Sequence, residues 1–144
     1  MMTGTAAIIR IVFAALVGLA LGYISWFRNV RIFVLIAAGS TLLTIVSVEF
    51  FRPLALPLMA DPGRIAAQII VALGFLGTGL IWISEDSKVK GLPVAGSLLV
   101  TAIIGILIGI GNSVKILAVI FLLLLFYFLS YAEWKIRSKT EQKL

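Results

Sequence analysis

Few residues of this chain could bind a ligand or react with one, and three of them follow one another at helical spacing. Asp61, Arg64 and Gln68 supply a carboxylate, a cation and an amide at intervals of three and four residues. On a helix that begins at Asp61 and Pro62, this spacing places the three groups on one face. The chain contains no cysteine and no histidine, which excludes disulfides, thiolate or imidazole metal ligands and most pairs of nucleophile and base. We therefore expect no catalytic residue, no cofactor and no metal site, and we expect that the chain is not an enzyme.

Two further ionisable residues lie near the ends of apolar stretches, Arg10 in the first and Glu49 in the second. An isolated charge in hydrocarbon costs at least about 2.5 kcal/mol on insertion scales, so mutual pairing is the favourable arrangement. We predict a polar cluster of Arg10, Glu49, Asp61, Arg64 and Gln68 at one end of a helical bundle. The alternative is that Asp61 only caps a helix and that the arginine side chains only extend to the membrane–water interface. With the neighbouring Arg52, three arginines flank the two carboxylates, which suits an anionic ligand, a lipid headgroup or a partner's carboxylate better than Mg²⁺.

Membrane-spanning helices must position these residues. Of the 144 residues, 62% are hydrophobic and 12% are charged, and the mean hydropathy is +1.19, as in an integral membrane protein. Five apolar stretches are long enough, or nearly so, to cross about 30 Å of hydrocarbon. They run from Ala6 to Phe27, Ile32 to Phe51, Ile65 to Ile83, Leu92 to Ile110 and Ser113 to Trp134. The sequence therefore predicts an all-α, five-helix transmembrane bundle over residues 1–134 and a short basic tail at 135–144, with a cleaved signal peptide as the alternative for the first stretch.

Small residues recur at close intervals in three of the predicted helices, a pattern that lets helix backbones approach closely. We expect the glycine-rich face of the third helix to meet the small face of the fourth. We expect the small face of the first helix to dimerise or to receive a partner helix, with an internal contact as the alternative. The three faces comprise Gly18 and Gly22; Gly74, Gly77 and Gly79; and Ser97, Thr101, Gly105 and Gly109.

The middle of the chain resembles the membrane domain of the MgtC/SapB family. The matching residues are Asp61, Pro62, RIAAQ at 64–68, GFLG at 74–77, Gly79, VKGL at 89–92, and Ala95, Ser97, Thr101 and Ala102, in the family's order and spacing. The chain departs from the family after the first helix, where it reads NVRI at 29–32 and has no acidic residue between Gly22 and Arg31. The soluble carboxy-terminal domain of some family members is expected to have no counterpart in 135–144.

The resemblance implies a prokaryotic membrane protein linked to growth at low magnesium and to survival inside host cells. Family members act on membrane partners, including the F-type ATP synthase, rather than carrying magnesium themselves. We accordingly expect a regulatory or interaction protein that forms a homo-oligomer, most simply a dimer, and contacts membrane lipids and a membrane protein such as that ATP synthase. The alternative is a small transporter, or an ion pathway for magnesium or an anion, through the polar cluster.

The distribution of basic residues predicts the orientation in the membrane. Twelve Lys and Arg against six Asp and Glu give a net charge of +6, which favours cytoplasmic loops facing anionic lipid over binding to nucleic acid. With five spans, an external amino terminus and an internal carboxy terminus place eight of the twelve basic residues in the cytoplasm. We expect this orientation, in the inner membrane of a prokaryote, with the polar cluster at the outer end.

Overall fold

The structure is a computed structural model that describes residues 4–24, 30–51, 63–85, 87–111 and 113–141, with the backbone alone at 50–51, 113–116, 132–134 and 136–141. Its elements are α1 (Gly4–Ile24), α2 (Val30–Phe51), α3 (Gly63–Leu80), β1 (Trp82–Ile83), β2 (Val89–Lys90), α4 (Leu92–Ile110) and α5 (Ser113–Glu141). Within these residues, α1 to α4 are long and apolar enough to span a membrane, and α5 contains a shorter apolar segment, Leu117–Tyr131. The predicted all-α, five-helix membrane bundle is confirmed.

Two of the predicted boundaries differ from those in the structure. The third helix ends at Leu80, and Trp82 and Ile83 pair as a strand with Lys90 and Val89. The fifth helix continues without a break through the predicted tail to Glu141. Neither proline nor glycine interrupts the sequence from 113 to 141, so the helix has no local reason to stop at the membrane boundary.

Glycine and proline set the bounds of α4. Pro93 lies in its first turn, where the backbone N–H that proline lacks would have no partner in the helix. Gly91 precedes the helix with a φ of 86°, and an added Cβ there would collide with the carbonyl of Leu80. At the other end Gly111 adopts a φ of 68° and donates its N–H to the carbonyl of Leu107 at 3.3 Å, a left-handed termination that favours glycine.

The bundle is built around α2 and α4. α1 packs on α2, α3 packs mainly on α4, and α5 contacts α4 and α1. One buried cluster joins α1, α2, α4 and α5, and a second joins α3 to α4. The first consists of Ala14, Val17, Leu21, Phe33, Ala37, Leu98, Ile104, Ile108 and Val119, and the second consists of Ile69, Ala102 and Ile106.

Candidate functional site

The small face of α1 is buried against α2. A Cβ added at Gly18 would lie 2.6 Å from the carbonyl oxygen of Phe33, and one added at Gly22 would lie 2.9 Å from Cγ1 of Val30. Real side chains do not approach a backbone oxygen so closely, so α1 requires glycine at Gly18 in order to reach α2. The expectation that Gly18 and Gly22 form an exposed face for a dimer or a partner is therefore wrong.

The small face of α4 meets α2 rather than α3. A Cβ added at Gly105 would lie 2.6 Å from the carbonyl oxygen of Ala37, and one added at Gly109 would lie 2.7 Å from Cβ of Thr44. Thr41 joins the two helices, because its hydroxyl donates to the carbonyl of Gly105 at 2.8 Å as well as to that of Ala37 in its own helix at 2.9 Å. The predicted contact between the small faces of the third and fourth helices is thus replaced by a contact between α2 and α4.

The glycines of α3 are left largely uncovered within the described residues. A Cβ added at Gly77 would be in ordinary contact with Cβ of Ala95 at 3.5 Å, whereas Gly74 and Gly79 have nothing within 4 Å. The residues at the end of this helix that carry part of the family resemblance are thus largely exposed rather than packed against another helix. Ile69 is the one buried residue of α3, all of whose residues are described.

Arg10 caps the carboxy-terminal end of α4. Its Nη1 donates to the carbonyl of Gly109 at 3.1 Å, and its guanidinium occupies the space that a Cβ would fill at Gly111. The free carbonyls at a helix end carry partial negative charge, so a half-buried cation there is stabilising by about 0.3 to 2 kcal/mol. Arg10 is half-buried, and its described partner is this helix end.

The contacts between helices place the four described residues of the predicted polar cluster toward one end of the bundle. α1 and α4 meet there through Arg10, and α3 runs antiparallel to α4, because Ile69 packs with Ile106 while Gly77 lies against Ala95. Glu49, near the end of α2, and Arg64 and Gln68, near the start of α3, therefore point toward the same end as Arg10.

No described contact joins these side chains into one cluster. Glu49 is half-buried and has an interaction of its own, whereas Gln68 is exposed. Arg64 is exposed and has no hydrogen bond or ion pair with any residue in the described part of the chain. Asp61 lies outside the described residues. The complete polar cluster stays a prediction, and so does the orientation of the bundle in the membrane.

A groove between α2 and α3 opens beside Gln68, and we name it the α2/α3 groove. Its volume is about 420 Å³, and almost all of its lining is apolar. The lining residues are Leu35, Ile36, Gly39, Ser40 and Leu43 from α2, and Ile65, Gln68, Ile69, Ala72, Leu73 and Leu76 from α3. Sequence reasoning missed the groove, because the glycines of α3 indicated close packing of this helix. The signal that could have found it is the row of residues at spacings of three and four from Ile65 to Leu76.

Comparison with known proteins agrees with the resemblance in the sequence. The pattern of the MgtC family matches residues 4–135. The chain is 40% identical over 110 residues to "Putative magnesium transporter YhiD" of Escherichia coli (strain K12), which covers 72% of this chain and 51% of that protein. It is 45% identical over 64 residues to "Protein MgtC" of Salmonella typhimurium (strain LT2), which covers 44% of this chain and 27% of that protein.

The chain thus spans about half the length of the first of these relatives. No solved structure matches the chain at a significant level. The family match extends from the start of α1 into α5 and includes the residues on which the resemblance rests. Together with the bundle of apolar helices, it leads to one conclusion: the chain belongs to the MgtC family.

Proposed function

We propose that this protein is a regulator that acts by binding a membrane protein, and that the partner packs on the outer face of α3. We define the outer face by Ala67, Val71, Gly74 and Thr78, which recur at spacings of four, three and four residues and are all exposed. The partner that the family resemblance favours is the F-type ATP synthase.

The exposure of α3 is the observation that carries this proposal. Of the residues in its apolar segment, 6% are buried, against 39% in α2 and in α4. Val71 is 66% exposed, and Gly74 has nothing within 4 Å of an added Cβ. A helix of the partner could therefore approach the backbone of α3 closely, in the way that small residues permit in membranes. Lipid alone would not require a glycine at this position.

Co-purification tests the proposal. Tagged protein from native membranes should retain subunits of the F-type ATP synthase through detergent washes. Gly74→Leu should abolish this retention, because the added side chain protrudes where the partner would pack. Gly96→Leu in α4 is the matched control, since Gly96 also has nothing within 4 Å, and it should retain the partner. Equal retention by the wild type and both variants would contradict a partner site on α3.

The second candidate function is transport, which the name of the Escherichia coli relative favours. Arg64 and Gln68 are the exposed polar residues that a pathway along α3 would use. The interface of α2 and α4 offers an ion little room, since Gly105 and Gly109 bring these two backbones into contact. Reconstituted protein should give no flux of magnesium or of anions if it is a regulator. A robust flux that Arg64→Gln abolishes would establish transport instead.

A further inference from the structure

We propose that the α2/α3 groove binds one anionic phospholipid, with an acyl chain along the groove and the headgroup phosphate at Arg64. The lining of the groove shares no residue with the outer face of α3, so the groove itself does not depend on the proposed partner. The occupant follows from three features of the described residues: the length of the groove, its lining, and the charge at its mouth.

The groove has the length of one leaflet. Its lining on α3 extends from Ile65 to Leu76, eleven residues along the helix. At 1.5 Å per residue this is about 16 Å. Half of a hydrocarbon core of about 30 Å is close to the same length. Ile65 lies in the first turn of α3, so if the apolar helix spans the bilayer along its length, the groove extends from one end of the span to about its middle.

The lining of the groove suits an acyl chain. Gly39 of α2 and Ala72 of α3 are small, so the space between the helices is not filled by their own side chains. Leu35, Leu43 and Leu76 supply apolar walls. Ser40 is 4% exposed, so it contributes little polar surface to the groove. A flexible hydrocarbon chain can fill an irregular apolar space of this kind without leaving a polar group unpaired.

The mouth of the groove carries a positive charge. Gln68, Ala72 and Leu76 lie in one row at intervals of four residues and all line the groove. Arg64 precedes Gln68 by one turn and Ile65 by one residue, so its backbone lies just beyond the first lining residues and its long side chain can reach the end of the groove. It is exposed and has no ion pair with a described residue. A guanidinium binds phosphate through paired hydrogen bonds, and the amide of Gln68 is a second donor one turn deeper.

Lipid binding to the purified protein tests the proposal. The dissociation constant of the first bound lipid can be measured by native mass spectrometry, with palmitoyl-oleoyl phosphatidylglycerol and the matching phosphatidylcholine as probes. We expect the wild type to prefer phosphatidylglycerol by about tenfold, because in phosphatidylcholine the choline cation offsets the charge of the phosphate that Arg64 would bind. Arg64→Gln should remove this preference. Arg31→Gln is the matched control, because Arg31 is an exposed arginine in the first turn of α2, at the opposite end of the bundle, and it should keep the preference.

A second variant tests the groove separately from the charge. Gly39→Leu should weaken the binding of both lipids, because the new side chain enters the groove, where nothing lies within 4 Å of an added Cβ. For the same reason the variant should fold, as far-ultraviolet circular dichroism and size-exclusion chromatography would verify. Unchanged binding by Gly39→Leu or by Arg64→Gln would overturn the proposal. So would an equal loss in Arg31→Gln, or a dimer that Gly39→Leu dissociates, because the groove would then hold a second copy of the chain.

Discussion

Gly105→Ala should destabilise the contact between α2 and α4 at the centre of the bundle. The added Cβ would lie 2.6 Å from the carbonyl oxygen of Ala37 and 2.9 Å from Cβ of Ser40. The first of these neighbours is backbone, so no side-chain rotation relieves the overlap and the two helices must move apart. Overpacking of a well-packed interior costs about 1 to 3 kcal/mol. Separation would also lengthen the hydrogen bond from Thr41 to the carbonyl of Gly105, now 2.8 Å, so we expect a loss near the upper end of this range.

Gly96→Ala is the matched control for this prediction. Gly96 lies in the same helix, and nothing is within 4 Å of a Cβ added there. Because alanine is a better helix former than glycine, this substitution should be neutral or stabilising by up to about 1 kcal/mol. Reversible unfolding in mixed detergent micelles measures both free energies of unfolding. If the two variants unfold within about 0.5 kcal/mol of each other, the direct contact of the α2 and α4 backbones is refuted.

The same unfolding measurement checks three further predictions. Thr41→Val removes a buried hydrogen bond between helices and should cost about 0.6 to 1.7 kcal/mol, whereas Thr78→Val, at an exposed position bonded within its own helix, should cost less. Arg10→Gln removes the cation from the end of α4 and should lower the free energy of unfolding by about 0.3 to 2 kcal/mol. Arg10→Lys keeps the charge and should lower it by less. Gly18→Ala should cost about 1 to 3 kcal/mol and leave the oligomeric state unchanged, because this glycine packs inside the bundle.

Hydropathy and helix length predicted the architecture, because a spanning helix must be apolar over nearly its whole length. The number of helices follows from that constraint. The spacing of small residues could not predict which helices pack together through their small-residue faces. Residues four apart form a face on any helix, and the contact of Gly105 with Ala37 depends on the crossing of two helices that are distant in the sequence.

The partner of Arg10 could not be predicted from the ionisable residues alone. Opposite charge favours Glu49 and Asp61 as partners of Arg10. The described partner is instead the carbonyl of Gly109 at the end of α4, 99 residues from Arg10 in the sequence. A helix end supplies partial negative charge without an acidic side chain. The available signal was Gly111, which follows the last apolar turn of α4 as a helix terminator does, together with the antiparallel order of the helices.

Photo-crosslinking from the outer face of α3 tests the central claim most directly. A photoreactive residue at Val71, which is 66% exposed, should form a covalent adduct in native membranes with a subunit of the F-type ATP synthase. The matched control is Phe121 of α5, which is 65% exposed and lies outside the proposed site. We expect the adduct from Val71 and none from Phe121. Adducts with lipid alone from both positions, or the same protein adduct from both, would contradict a partner site on α3.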